Sequence, residues 1–160
     1  MDVDFKARPQ WSPPPAPYPL PYVSRAAIAR VKDPIAIPTE CPCCGGTVKL
    51  CNNAEIYGSS IGVWPFAYSC QGCGEAYVGC HPDTAIPLGT LADKALRTLR
   101  AVAKQHFHSY LIQAKMERRA GYQWLAKQLE IPMAECHFGH FDMVNAQRAL
   151  DLCNPSKESK

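Results

Sequence analysis

The chain has 160 residues and 17.7 kDa, 47% hydrophobic and 19% charged, which is enough for one domain with a small appendage. Lys plus Arg is 17 and Asp plus Glu is 14, so the net charge is +3, too small to announce a nucleic-acid partner by itself. No run of 18 apolar residues offers a membrane span, and the N-terminus, MDVDFKARPQ, has no apolar core to read as a secretory signal, so a cytoplasmic setting is expected.

Residues 1–40 carry the proline-rich stretch WSPPPAPYPLP. Proline fixes φ and removes the amide donor, so the stretch reads as an extended, polyproline-II arm. Two readings stand for it: a terminal tail, or a docking peptide for a protein partner with Trp11, Tyr18 and Tyr22 as anchors. Ser24 to Lys32 has room for two helical turns before Pro34 stops them.

Residues 41–90 change character. They are rich in cysteine, glycine and β-formers and hold a single basic residue, Lys49. Three short strands are predicted, Thr47–Cys51, Val63–Cys70 and Glu75–Cys80, separated by Asn52-Asn53, Gly58 and Gln71-Gly72. None is long enough to own a core, so something else must hold the region.

Residues 91–153 read as helical, followed by a polar tail over 154–160. Thr90 and Asp93 are spaced as a capping box. Ala92, Leu96, Leu99, Val102, Ala103, Phe107, Tyr110 and Leu111 then recur on one face of a helix over Leu91–Leu111, about 30 Å long. A second helix is predicted over Glu117–Leu129, ended by Pro132. A third follows over Met143–Cys153, capped by Asp142, with Met143, Val144, Ala146, Leu150 and Cys153 inward. The expected fold is therefore α+β, a small unit of short antiparallel strands followed by about three helices packed on it.

Nine cysteines are an odd number, and in a reducing compartment they stay thiols. Cys41-Pro-Cys-Cys44-Gly-Gly and Cys70-Gln-Gly-Cys73-Gly form C-x2-C…C-x2-C with 25 residues between Cys44 and Cys70. Two cysteines three apart in a tight turn aim both sulfurs at one ion, and two such knuckles make a tetrahedral S4 site suited to one structural Zn(II). Gly45 and Gly74 stand where each chain leaves its knuckle and needs positive φ. Iron on four thiolates uses the same ligands, and Cys43 competes with Cys44 on composition alone, although the spacing favours 41 and 44. Cys51 and Cys80 read as small buried apolar residues, with Cys80-His81 an alternative ligand pair. Cys136, His137, His140 and Cys153 are candidates for a second metal site of no common spacing.

The motifs CPCCGGTVKLCNNAEIYG, YSCQGCGEAYVGCHPDTAIPLGTLADKALRTLR, GYQWLAKQLEIP and ECHFGHFD, in that order, resemble the zinc-finger-containing domain family of unknown function 3268. The resemblance runs from about Cys41 to Cys153 and leaves out the proline arm. It implies metal ligands at Cys41, Cys44, Cys70 and Cys73, and a phage or prophage setting. Cys43, Gly121 and Glu130 depart from the family's pattern.

Charge is uneven. Residues 91–128 hold eight basic residues and two acids, +6, so the remainder sums to −3. Arg97, Arg100, Lys104 and His108 are spaced as one stripe, expected opposite the apolar face of the first long helix. With Lys94, Arg118 and Arg119, these cations are the candidate contacts to a phosphate backbone; the other reading is a solvated helix face. Tyr57, Trp64, Phe66 and Tyr68 are candidate stacking surfaces or core. The leading expectation is a zinc-ribbon protein, not an enzyme, that binds nucleic acid or a nucleic-acid-handling complex. Against it stand a protein-interaction module using the arm, aimed at a host factor or defence system, and a metal-dependent nuclease built on His81, His137, His140 and Asp142.

Overall fold

A computed structural model describes residues 16–154. Three antiparallel strands, β1 (Val48–Asn52), β2 (Phe66–Cys70) and β3 (Tyr77–Gly79), lie in the order β1-β2-β3. Leu50 stands opposite Tyr68, and Tyr68 opposite Val78. The described residues also form five helices: α1 (Arg25–Arg30), α2 (Ala54–Tyr57), α3 (Lys94–Gln113), α4 (Arg118–Leu129) and α5 (Met143–Cys153). Two short 3-10 turns, Met133–Glu135 and Phe138–His140, bridge α4 to α5. The fold is α+β, as expected. The one-turn α2 was not predicted, being too short for a periodic signal; Asn52 Oδ1 instead fixes it by accepting from the Ala54 amide.

Two cores meet at consecutive residues. Leu91 is buried with Tyr68, Ala76, Cys41, Cys70 and Cys80 in the ribbon. Ala92 is buried with Leu96, Phe107, Leu125, Phe141 and Ala149 among the helices. Successive residues point to opposite sides only in extended chain, and Ala92 bridges Tyr77 antiparallel to β3. That pairing postpones the helix. Asp93, not Thr90, is the N-cap of α3, accepting from the Leu96 amide at 2.8 Å. Asp142 caps α5 as predicted, accepting from the Asn145 amide at 2.7 Å. Met143 and Val144, expected inward, are 50% and 65% exposed. They sit in the first turn of α5, while Ala146, Ala149 and Cys153 face the core.

The proline arm is not extended throughout. Ser24 caps α1, and Leu20, Val23 and Ala27 are buried. The Ser24 amide donates to the Asp83 carbonyl at 2.8 Å, fastening this segment to the ribbon's last loop. A glycine pair joins that loop to the helices. The Thr90 amide donates to the Gly139 carbonyl, and a Cβ on Gly89 would lie 2.1 Å from that oxygen.

Candidate functional site

The two knuckles close around four sulfurs. The Sγ atoms of Cys41, Cys44, Cys70 and Cys73 all lie within 4.8 Å of one another. Tetrahedral Zn–S bonds of about 2.3 Å place sulfurs about 3.8 Å apart, so the cluster is at coordinating size. Gly45 and Gly74 take φ of +71° and +69°, as the turns require. Amides of Cys43, Gly46 and Gly72 donate to the sulfurs of Cys41, Cys44 and Cys70 at 3.2–3.4 Å. Such donors stabilise thiolate. Gly46 and Gly72 face each other across the site: a Cβ on Gly46 would sit 3.0 Å from both Cys70 Sγ and the Gly72 Cα. A side chain at either position would press the facing knuckle back by a few tenths of an ångström.

The electrostatics suit a cation. Burial raises the Cys70 thiol, but amides of Cys73 and Gly72 and the thiols of Cys44 and Cys41 outweigh it and hold it down at about 6. For Cys44 the Gly46 amide pulls down, yet competition with the Cys70 thiol and burial carry it up to about 11. One thiolate therefore forms easily and obstructs the next. A divalent metal removes that obstruction, and the all-protein S4 set holds it as one structural Zn(II) with no open position.

The other cysteines are excluded by their surroundings. Cys43 is exposed and outside the cluster. Burial pushes Cys80 up to about 12 and Cys136 and Cys153 up to about 11, so all three stay protonated. Cys136 Sγ donates to the Tyr122 carbonyl, and Cys153 lies in the helical core. The proposed second metal site does not assemble: among the described residues, only the four-cysteine group brings three or more ligands together. His137 Nε2 instead meets Asp33 Oδ2 at 3.0 Å, with the His140 ring 4.7 Å from the His137 ring.

The cationic stripe of α3 loses Arg100 to the core. Arg100 is 9% exposed and lies on the buried face with Leu96, Ala103 and Phe107. Its guanidinium donates to the Phe141 carbonyl at 2.7 Å and to the Thr90 carbonyl and hydroxyl at 3.0 and 2.6 Å. Arg97 lies 3.8 Å over the Tyr77 ring and donates to the carbonyls of Glu75 and Ala92. Both arginines hold α3 in place. The expectation that Arg100 shares an outward stripe is corrected: position 100 is one turn from both Leu96 and Ala103, on the inward face. Lys94 and Lys104 remain exposed.

Arg118 and Arg119 gather elsewhere. They line an open groove of about 880 Å³ with Lys32, Asp33, Tyr122, Met133 and His137. Among the described residues no carboxylate pairs with Lys32, Arg118 or Arg119. Lys32 escaped sequence reasoning because it follows α1, far from α4 in the chain, and carries no local motif. The stacking candidates are mostly committed. Tyr68 is buried with its hydroxyl donating to the Ala85 carbonyl, Trp64 Nε1 donates to the Thr84 carbonyl, and Tyr57 bonds to the Tyr77 hydroxyl. Phe66 packs edge-on against Trp64. Of the arm's anchors, Tyr18 is 94% exposed, Tyr22 is 49% exposed with an edge contact to Trp64, and Trp11 lies outside the described residues. Within those residues, no helix is long and apolar enough to cross a membrane.

These features define a structural four-cysteine zinc ribbon fused to a small helical unit. The chain belongs to the zinc-finger-containing domain family, whose pattern matches residues 37–155. No curated protein and no solved structure gives a significant match.

Proposed function

We propose that this zinc-binding protein binds nucleic acid, alone or within a nucleic-acid-handling complex, in the phage or prophage setting that its family resemblance implies. The observation that carries the reading is the unpaired charge at the start of α4. Arg118 and Arg119 occupy the first turn, where the helix dipole disfavours cations; the acidic N-cap, Glu117, makes no side-chain capping bond, and among the described residues neither arginine has a carboxylate partner. Lys32 adds a third cation across the chain. Placing like charge at an uncapped helix end costs stability, and an anionic ligand offsets it. The zinc ribbon supplies a rigid base and no chemistry of its own.

Fluorescence anisotropy of labelled oligonucleotides across about 50–300 mM salt tests this. Three phosphate contacts give a log–log slope of about −2 to −3. The double variant Arg118→Glu, Arg119→Glu abolishes binding at the low-salt end. Absent binding, or affinity indifferent to salt and to those substitutions, overturns the reading.

One observation favours a protein-interaction role for the arm as a second reading: Tyr18 stays 94% exposed although Leu20 beside it is buried. Tyr18→Ala then weakens capture of a protein partner from nuclease-treated host lysate while leaving nucleic-acid affinity unchanged. Equal capture by the variant counts against it.

A further inference from the structure

The cationic groove has a floor as well as a rim. Arg118 stands 5.8 Å from the centre of the Tyr122 ring, which itself packs on Phe107 at 4.9 Å. The Tyr122 ring is thus backed by the helical core, and the guanidinium is held near it. Met133, 46% exposed, and Ala134 add apolar surface to the same lining. Lys32 enters from the segment after α1. Its neighbour Asp33 takes a left-handed φ of +52° and is tied to His137 at 3.0 Å. The groove therefore combines three cations that no carboxylate pairs among the described residues, one of them the Arg118 guanidinium beside the Tyr122 ring, with a flexible thioether and the Asp33 carboxylate that His137 holds.

Each class of polyanion meets these features differently. A duplex presents phosphates but keeps its base faces stacked inside, so it leaves the apolar floor unused. An acidic peptide matches the charge and offers no flat face. An unpaired strand presents both, and arginine planes and aromatic rings are the surfaces on which its bases stack. The volume, about 880 Å³, is room enough for a nucleotide-sized group.

We infer that this groove takes an unpaired nucleic-acid strand, with phosphates between Lys32 and Arg119 and a base laid against Arg118 and Met133. The inference deepens the nucleic-acid reading above and rests on it.

The test uses the full chain loaded with zinc. Single strands of DNA and RNA, the matching DNA duplex and polyglutamate are compared at fixed salt. The single strand binds at least about tenfold tighter than the duplex, and polyglutamate competes poorly. Lys32→Glu lowers strand affinity about tenfold. Arg118→Lys keeps the charge but loses the plane, and lowers strand affinity about fivefold with little change for the duplex. A 2-aminopurine placed in the strand is quenched by the native protein and less so by Arg118→Lys. Unchanged circular dichroism and zinc content show that both variants are folded. Duplex binding equal to strand binding, still abolished by the arginine-to-glutamate variant, overturns this inference and leaves nucleic-acid binding standing. Polyglutamate competing as well as the strand also overturns it. Binding of neither oligonucleotide overturns both.

Discussion

Arg100 offers the sharpest test of how the helical region is held. Its guanidinium fastens two distant segments to α3, Thr90 on the ribbon side and Phe141 before α5. In Arg100→Ala the Phe141 carbonyl loses its partner inside a residue that is 1% exposed, a penalty of about 1–3 kcal/mol. Thr90 is solvent-exposed, so water replaces much of what its carbonyl and hydroxyl lose, and the cost there is about 1 kcal/mol. Burial lowers the Arg100 pKa, meaning the charge is poorly solvated, and removing it returns part of the loss. The balance is about 2 kcal/mol, which for a chain of this size lowers Tm by about 4–8 °C. Circular dichroism melts at fixed zinc measure it. Arg100→Lys recovers only part of the stability, because one ammonium cannot reach acceptors on both sides at once. A melting temperature within about 2 °C of the parent, or full rescue by lysine, would falsify the strut assignment. It would return Arg100 to the list of surface cations.

Three further outcomes follow from the site. Chelation of zinc, or Cys70→Ser, unfolds the ribbon, seen as a red shift of Trp64 emission; an unshifted spectrum with zinc absent by elemental analysis contradicts a structural role for the metal. Gly46→Ala places a methyl 3.0 Å from Cys70 Sγ and speeds zinc transfer to a chromogenic chelator, with Gly58→Ala, which meets no atom within 4 Å, as a control for general destabilisation. His81 and His140 titrate below their ordinary value because burial disfavours the imidazolium, with the charges of His137 and Arg100 adding to the effect at His140. The folded state therefore prefers them neutral, so their contribution is complete above about pH 6.5 and is lost as pH falls through the lower folded values. Tm drops from pH 7.5 to 5.5, and His140→Gln flattens part of that slope; a melting temperature that rises on acidification has the wrong sign.

Where sequence reasoning held, the physics was local. A C-x2-C turn followed by glycine decides its own geometry, so Cys41, Cys44, Cys70 and Cys73 were legible before any fold was known. Asp142 capped α5 on the same terms. Thr90 failed as a cap because Ala92 pairs with Tyr77, a contact between segments that no window of residues around Thr90 contains. Arg100 failed because a helical wheel sorts residues by polarity, and a buried guanidinium breaks the sorting when carbonyls from elsewhere reach it. Met143 and Val144 are the converse, apolar residues in a first turn that line an open cleft with Ile35, Ala36 and Pro38 in place of entering the core. The groove was half visible: Arg118, Arg119 and Tyr122 share the first turns of one helix, but Lys32 and Met133 join them only through the docking of the segment after α1 and of the 3-10 turns.

Gly89 and Gly139 have a consequence for how this fold can be rearranged. Their main chains touch where the ribbon hands over to the helices, and the contact leaves no slack for a linker. The metal-bearing portion is therefore not a cassette that can be cut out and pasted elsewhere, as a free-standing finger can. Recombination at this junction must carry both halves together, and insertions compatible with the fold belong in the loop around Ser59 and Ser60, not at residues 89–92.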